Sequence, residues 1–167
     1  AAVARELRAS RAPFTLVGVG GDMMRDAGVT LIEHSEKLAV MGFIEPLKRL
    51  PHFRRLRDEL RTRIDSGNVA LVVLVDYGGF NMKVAEVAAD ANVPVLYYIT
   101  PQVSASRAGR MNALARTLTN AAVILHSEET LLRLNGLNAT FRSTSRPDRT
   151  AKPPACHAPP RHVAIVE

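Results

Sequence analysis

The sequence predicts an α/β domain built on a doubly wound, mostly parallel sheet. Three observations predict it. Aliphatic runs of seven or eight residues recur along the chain, amphipathic stretches separate them, and the runs end on glycine, a hydroxyl or a single acid. A strand covered by helices on both faces reads as continuously apolar. Such runs alternating with helices are therefore the pattern of parallel strands joined by right-handed crossovers.

Taken in order, "AAVARELRAS" reads as the middle of a helix and lacks the long apolar core of a signal peptide, so the chain is expected to begin inside a domain. "FTLVGVG" (14–20) reads as a strand ending in glycines. The longest helical signal is 43–64, where Phe43, Leu47, Leu50, Phe53, Leu56, Leu60 and Ile64 recur at spacings of three and four and form one apolar stripe. Pro51 is expected to break it, serving as the first residue of a second piece. Its other faces carry Lys48, Arg49, Arg54, Arg55, Arg57, Arg61 and Arg63. Such a face either meets water or meets phosphates and anionic lipid head groups. "VALVVLVD" (69–76), "VPVLYYIT" (93–100) and "AAVILHS" (121–127) read as further strands, and 80–91 and 107–118 as helices. From Arg142 onward five of the ten prolines fall in a stretch with no helical or alternating pattern. The expected organisation is thus one domain over 1–141 and a basic, mostly disordered tail over 142–167.

Composition narrows the function. The 167 residues are 47% apolar but only 5% aromatic, without tryptophan, enough for one aliphatic-rich core. A net charge of +6 favours acidic partners. The basic residues do not interleave with stacking aromatics, which argues against nucleic acid. The single cysteine, Cys156, excludes an internal disulfide, and no run of about 18 apolar residues offers a transmembrane helix. His34, His52, His126, His157 and His162 show no metal-ligand spacing, and there is no Walker loop or nucleophile elbow. No metal or cofactor is expected.

Three places bear on chemistry. Asp76 ends an apolar strand and precedes Tyr77 and two glycines. In open α/β sheets ligands bind beyond the carboxyl ends of the strands, where an acid can take a proton from a hydroxyl or hold a sugar. The same acid could equally cap the helix near Phe80. "GVGGDMMRDAG" (18–28) supplies a glycine turn before a helix-like segment, without the G-x-G-x-x-G spacing; it is either a ligand turn or simply a tight one. "TPQVSASRAG" (100–109) follows the third strand, and Arg107 and Arg110 are either phosphate ligands or solvated helix-start residues.

Five segments, "FTLVGVGGDMMRDAG", "LAVMGFIEPLKRLPHFRRL", "VVLVDYGGFNMKVA", "PVLYYITPQV" and "AVILHSEETLLRLNGLNATF", together resemble the amino-terminal half of bacterial lipid-A-disaccharide synthase, over roughly residues 1–141. "LAVMGFIE" and "DYGGFN" are the most specific. The resemblance implies a GT-B glycosyltransferase, two Rossmann-like domains around a cleft. Such an enzyme transfers 2,3-diacylglucosamine from UDP to 2,3-diacylglucosamine 1-phosphate, giving the β-1,6-linked lipid A disaccharide 1-phosphate and UDP. It implies no metal or cofactor, and a cytoplasmic, peripheral place on the inner membrane with an anionic lipid surface as partner. In the family's D-x-x-x-F-N pattern the acid is the proposed base, which matches Asp76. The substrate residues implied are Gly20, Gly21, Met41, Gly42, Glu45, Gly78, Gly79, Asn81 and Gln102.

The sequence departs from the family in four places. The opening strand and its G-E-x-S-G-D loop are missing ahead of the first helix, which implies a sheet short of a central strand. W-A-W is replaced by Ser104, Ala105 and Ser106, and L-P-F-E by Leu125, His126, Ser127 and Glu128. After Phe141 the resemblance stops, and with it any donor-binding domain. The expectation is an incomplete, inactive piece of the enzyme, read through a truncation or frameshift. The alternative is a non-catalytic module that binds a membrane surface or lipid phosphate.

Overall fold

The computed structural model describes residues 1–9, 14–40, 46–101, 108–141 and 161–166. Seven strands and seven helices follow one another as α1 (Ala2–Ala9), β1 (Phe14–Gly20), α2 (Asp22–Asp26), β2 (Thr30–His34), α3 (Ser35–Val40), α4 (Pro46–Asp65), β3 (Val69–Val75), α5 (Gly78–Asp90), β4 (Val95–Tyr98), α6 (Ala108–Thr117), β5 (Asn120–Val123), α7 (His126–Leu134), β6 (Ala139–Phe141) and β7 (Arg161–Val166). All seven strands join one sheet in the order β2-β1-β7-β3-β4-β5-β6, and every pairing is parallel. The doubly wound α/β class expected from the sequence is the class observed.

Strand alternation sorts the core into two faces. Val72 and Leu74 of β3 and Ala164 and Val166 of β7 pack with Leu56, Leu60 and Ile64 of α4, Val84 and Ala88 of α5, Leu114 of α6 and Leu132 of α7. Val73, Val163 and Ile165 point the other way, onto Ala4 of α1, Met24 of α2 and Ala27 just after it. Strand β3 is thus apolar on every residue, and β7 from Val163 onward, because helices cover both sides.

Two expectations are corrected. The chain from 142 onward was expected to be a disordered tail, yet Arg161–Val166 is a strand at the centre of the sheet; residues 142–160 lie outside the described residues. "HVAIV" is only five residues long and stands beside prolines, so no periodicity marks it out. It is nonetheless fully apolar after His162 and rich in β-branched residues, as a strand buried on both faces requires. Val163, Ala164, Ile165 and Val166 are all buried. The place between β1 and β3, where the resemblance implied a missing central strand, is therefore occupied.

Pro51 does not divide the long helix: α4 runs unbroken through it. Proline removes one N–H and so one backbone bond, which a twenty-residue helix packed through Leu56, Leu60 and Ile64 tolerates. The sequence reading also missed β2, β6 and α7. β2 and β6 are the two edge strands, of five and three residues, too short for a period to show. α7 begins at His126, inside the run expected to be strand to 127, because β5 ends at Val123.

Glycine is required at one strand position. Gly18 of β1 pairs with Ile165 of β7, and a Cβ built on it would lie 1.9 Å from the Ile165 carbonyl oxygen. The obstacle is main chain, so no rotamer relieves it. We expect Gly18→Ala to destabilise the fold by about 1–3 kcal/mol, the range for forcing extra atoms into a packed core, measured as a lowered urea midpoint with an unchanged slope.

Candidate functional site

The sheet's strand order reverses beside β7. After β1 the chain crosses the α1–α2 face to reach β2, and after β3 it crosses the α4–α5 face to reach β4. The loops leaving β1 and β3 therefore part to opposite sides and leave a crevice above the carboxyl ends of these strands, the place where doubly wound sheets bind ligands. Asp76 follows β3 directly and lies on this edge. Gly20 and Gly21 follow β1 on the same edge.

The turn carrying Asp76 is unusual. Asp76 and Tyr77 both have left-handed backbones, φ 49° and 42°. Non-glycine residues adopt this region at a cost of order 1 kcal/mol or more each, and only where their surroundings hold them. Three bonds hold this turn. The Asn81 amide nitrogen donates to the Val75 and Asp76 carbonyls at 3.1 and 2.9 Å, and the Tyr97 hydroxyl donates to the Asp76 carbonyl at 2.7 Å. The Asp76 N–H in turn donates to the Tyr98 carbonyl at 3.0 Å. The Asp76 residue is exposed, and its side chain has no hydrogen-bond partner among the described residues.

This settles one alternative from the sequence. Helix α5 begins at Gly78 with Tyr77 as its first flanking residue, and no side chain caps it. Asp76 is therefore not a helix cap. Gly78 lies under Pro101, whose Cγ would be 2.7 Å from a Cβ, so a larger residue would push the turn away from the strand β4 connection; Gly79 faces open space. Asn81, expected among the substrate contacts, is fully buried, and its amide nitrogen is taken up by main chain. The structure makes it a strut beneath the turn. Tyr97, which the sequence reading did not single out, is the second strut. It is fully buried, and burial pushes its phenol well above the usual tyrosine range, against an opposing effect from Asn81 and with a smaller upward push from the charge on Asp76. Its place in an apolar strand gave no sign of the role.

Around the turn lies an aromatic patch. Tyr77 stacks on Phe53 of α4 at 6.4 Å, and Phe53 meets Phe80 at 5.4 Å. Met23, Tyr77, Ile124 and Leu125 are exposed large apolar residues, and all four stand just past the carboxyl ends of β1, β3 and β5. The crevice edge thus combines an unpaired acid with an apolar rim.

The glycine turn is simpler. A Cβ on Gly20 would strike the Met24 sulfur at 2.1 Å, and Gly21 flanks a five-residue helix. Asp22 opens that helix and pairs with Arg25 at 2.7 Å and His34 at 3.3 Å. An acid at that end disfavours a phosphate there, so the turn serves as close packing of β1 against α2. Met41, Gly42, Glu45, Gln102, Arg107 and Ser104–Ser106 lie outside the described residues, as does the side chain of Arg110. A separate cavity of about 260 Å³ lies towards the opposite end of the sheet, against Ile64, Val69, His162 and Ala164, and takes in none of the expected site residues. Among the described residues no group of three or more His, Cys, Asp or Glu could hold a metal, and no helix is long and apolar enough to cross a membrane.

The mostly parallel α/β sheet is consistent with the Rossmann-like, amino-terminal domain of a GT-B-type glycosyltransferase. Comparison with known proteins makes the assignment specific: the chain belongs to the lipid-A-disaccharide synthetase family, whose profile matches residues 1–142. It is 34% identical over 139 residues to the lipid-A-disaccharide synthase of Coxiella burnetii (strain Dugway 5J108-111), covering 83% of this chain and 37% of the relative. It is 35% identical over 141 residues to that of Trichlorobacter lovleyi, covering 84% and 37%. With the Geobacter metallireducens protein it shares 37% over 138 residues, covering 83% and 36%. The chain thus matches little more than a third of the length of these relatives.

The buried phenol gives a test of the turn. Its raised pKa means that the folded state keeps the proton, so its contribution is intact below the ordinary tyrosine value of about 10 and is lost as pH rises above it. We expect stability to fall from about pH 10 upward in the wild type and to fall less steeply in Tyr97→Phe, followed by urea melts across that range.

Proposed function

We propose that this chain is the acceptor-side domain of a lipid A glycosyltransferase and that Asp76 is its general base. The reaction is transfer of 2,3-diacylglucosamine from UDP to the 6-hydroxyl of 2,3-diacylglucosamine 1-phosphate. The hydroxyl oxygen attacks the sugar's anomeric carbon, the bond to UDP breaks, and the proton passes to the Asp76 carboxylate. No metal or cofactor enters this scheme. The observation that carries the reading is the Asp76 turn: an exposed acid at the switch point, held in a left-handed backbone by two buried struts. Such strain supports a functional role, since a turn needed only for connectivity relaxes to a commoner conformation.

Gly78 and Gly79 keep the turn low beside the acid, and the apolar rim suits an acylated sugar. Met41, Gly42, Glu45 and Gln102 remain assigned to the acceptor by family resemblance, with Gly20 and Gly21 as packing neighbours of the crevice. Asn81 acts by positioning Asp76. In the family the UDP-binding residues belong to the carboxyl-terminal domain, beyond the matched length.

An acceptor lacking the 6-hydroxyl separates the roles of Asp76. A hydrogen bond to a charged group contributes about 1.5–3 kcal/mol, so Asp76→Asn should weaken binding of 2,3-diacylglucosamine 1-phosphate roughly 10-fold or more in calorimetric titration. Binding of the 6-deoxy analogue should be unchanged. Equal losses for both ligands would show that Asp76 shapes the loop and does not touch the hydroxyl.

Because the proposed acceptor is a lipid, the same proposal has the domain working as a peripheral protein at the cytoplasmic surface of the inner membrane. The basic face of α4 supports this. Arg57, Arg61 and Arg63 pair with Asp58, Asp90 and Glu59, but Arg54 and Arg55 are exposed without an ion pair to any described residue. Each basic residue near an anionic surface contributes roughly 1 kcal/mol. Flotation with phosphatidylglycerol vesicles should carry the chain upward at low salt. Arg54→Glu with Arg55→Glu should abolish this, and neutral vesicles should leave the chain at the bottom.

A further inference from the structure

We propose that the cavity beneath the last turns of α4 is a second ligand site, and that it takes a medium-chain amphiphile with an apolar tail and one carboxylate head. It lies towards the other end of the sheet from Asp76. Val69 opens β3 and Asp76 follows its last residue, so the two stand about 23 Å apart along the strand. None of the residues expected at the crevice lines the cavity.

The cavity follows from what the sheet places under α4. Val17 of β1 and Ala164 of β7 are paired neighbours, and both have short side chains. They leave the floor low beneath Leu60 and Ile64 of the helix, while Ile32 and Val69 close the sides. The space is about 260 Å³. An apolar cavity of roughly 150 Å³ takes a benzene-sized molecule, so this one has room for about ten non-hydrogen atoms. These walls carry no polar side chain, which suits an apolar tail and offers water no partner.

The polar lining gathers where α4 gives way to the turn before β3, and there Thr62, Arg63, Ser66 and Asn68 are exposed. The Thr62 and Ser66 hydroxyls already donate to the Asp58 and Arg63 carbonyls, at 3.0 and 2.7 Å. The Asn68 amide nitrogen donates to the Ser66 hydroxyl at 3.5 Å. Two side chains keep bonding capacity. Arg63 meets Glu59 through one nitrogen at 3.2 Å, and a guanidinium carries five N–H groups. His162 also lines the cavity, and its buried Nδ1 has no hydrogen-bond partner among the described residues. A buried nitrogen left unmet is rare, and one in a cavity wall fits a site that its ligand completes. Among the described residues Arg63 is the one charged side chain in the lining, and no carboxylate stands there. The head group is therefore an anion. A carboxylate is flat and accepts two N–H groups side by side from a guanidinium, while its chain enters the apolar chamber.

The site owes nothing to the role of Asp76, and its test is read at other residues. Octanoate is a probe of the right size. Titrated into the full chain, it should bind saturably and shift the amide resonances of Val17, Ile64, Val69 and Ala164, leaving those of Tyr77 to Phe80 in place. Octanol and octylammonium should bind on the order of 10-fold or more weakly, for want of a charge-assisted bond to the head. Arg63→Gln, a change at an exposed position, should bring octanoate down to the level of octanol and leave octanol as it was. Ala164→Leu should fill the chamber, remove binding of both and keep a cooperative melt at the same or a higher temperature. Should Ala164→Leu fail to fold, Arg63→Gln and the resonance shifts still decide. The proposal is overturned if octanoate does not bind, if the three probes bind alike, if the shifts fall on 77–80, or if a cooperatively melting Ala164→Leu binds octanoate undiminished.

Discussion

The structure depends on the double pairing of β7. A strand between two parallel neighbours satisfies its main-chain groups on both edges, and any vacancy there would leave two edges unpaired in the middle of the core. Val163, Ile165 and Val166 are each at 2% exposure or less. Burying such side chains contributes about 1.5–3 kcal/mol apiece. Their alternation ties the two hydrophobic clusters together, Ile165 facing α1 and α2 while Val166 faces α4 and α5. Without this strand the β1–β2 pair and the β3–β6 sheet would be separate pieces, neither with a complete core.

The site inherits its geometry from that pairing. Asp76 sits at the end of β3, whose position is fixed by β7 on one side and β4 on the other. β4 also supplies Tyr97, which bonds to the Asp76 carbonyl, and Tyr98, whose carbonyl receives the Asp76 N–H. Asn81 reaches back from α5 to the same carbonyl. A main-chain carbonyl with two buried donors and an N–H with a partner on the next strand has little freedom, so the left-handed turn is held. The role proposed for Asp76 thus rests on two side chains buried beneath its turn, Asn81 and Tyr97.

How much of this was legible in the sequence follows from what each residue does. The aliphatic runs of β1 and β3 showed themselves because their burial on both faces leaves no polar residue to interrupt them. Asp76 stood out because it breaks such a run at a strand's ligand end. β7 did not, because five apolar residues beside prolines carry no period, and its pairing partners lie about 90 residues or more away in the chain. Tyr97 was invisible for a related reason: within "VLYY" it reads as one more strand residue, and its hydroxyl acquires meaning only from β3 beside it. The helix-cap reading of Asp76 was physically sound, and only the left-handed turn at Tyr77, a backbone property that no side chain advertises, excludes it.

The same contrast bears on how the chain relates to its family. The family match ends at residue 142, while the sheet's central strand lies at 161–166, so the matched region and the described sheet have different boundaries. A strand slot makes weak demands on sequence: two flanking edges, β-branched residues buried on both faces, and a glycine where main chains come close. Many short apolar segments meet the first two. Gly18 against the Ile165 main chain meets the third, and the register of β7 against both neighbours is set by its buried side chains. A shift of one residue would turn every β7 side chain to the opposite face, placing Ile165 where Ala164 now fits beneath α4. The register is therefore held by packing on two faces at once, and the crevice above it is as well defined as that packing.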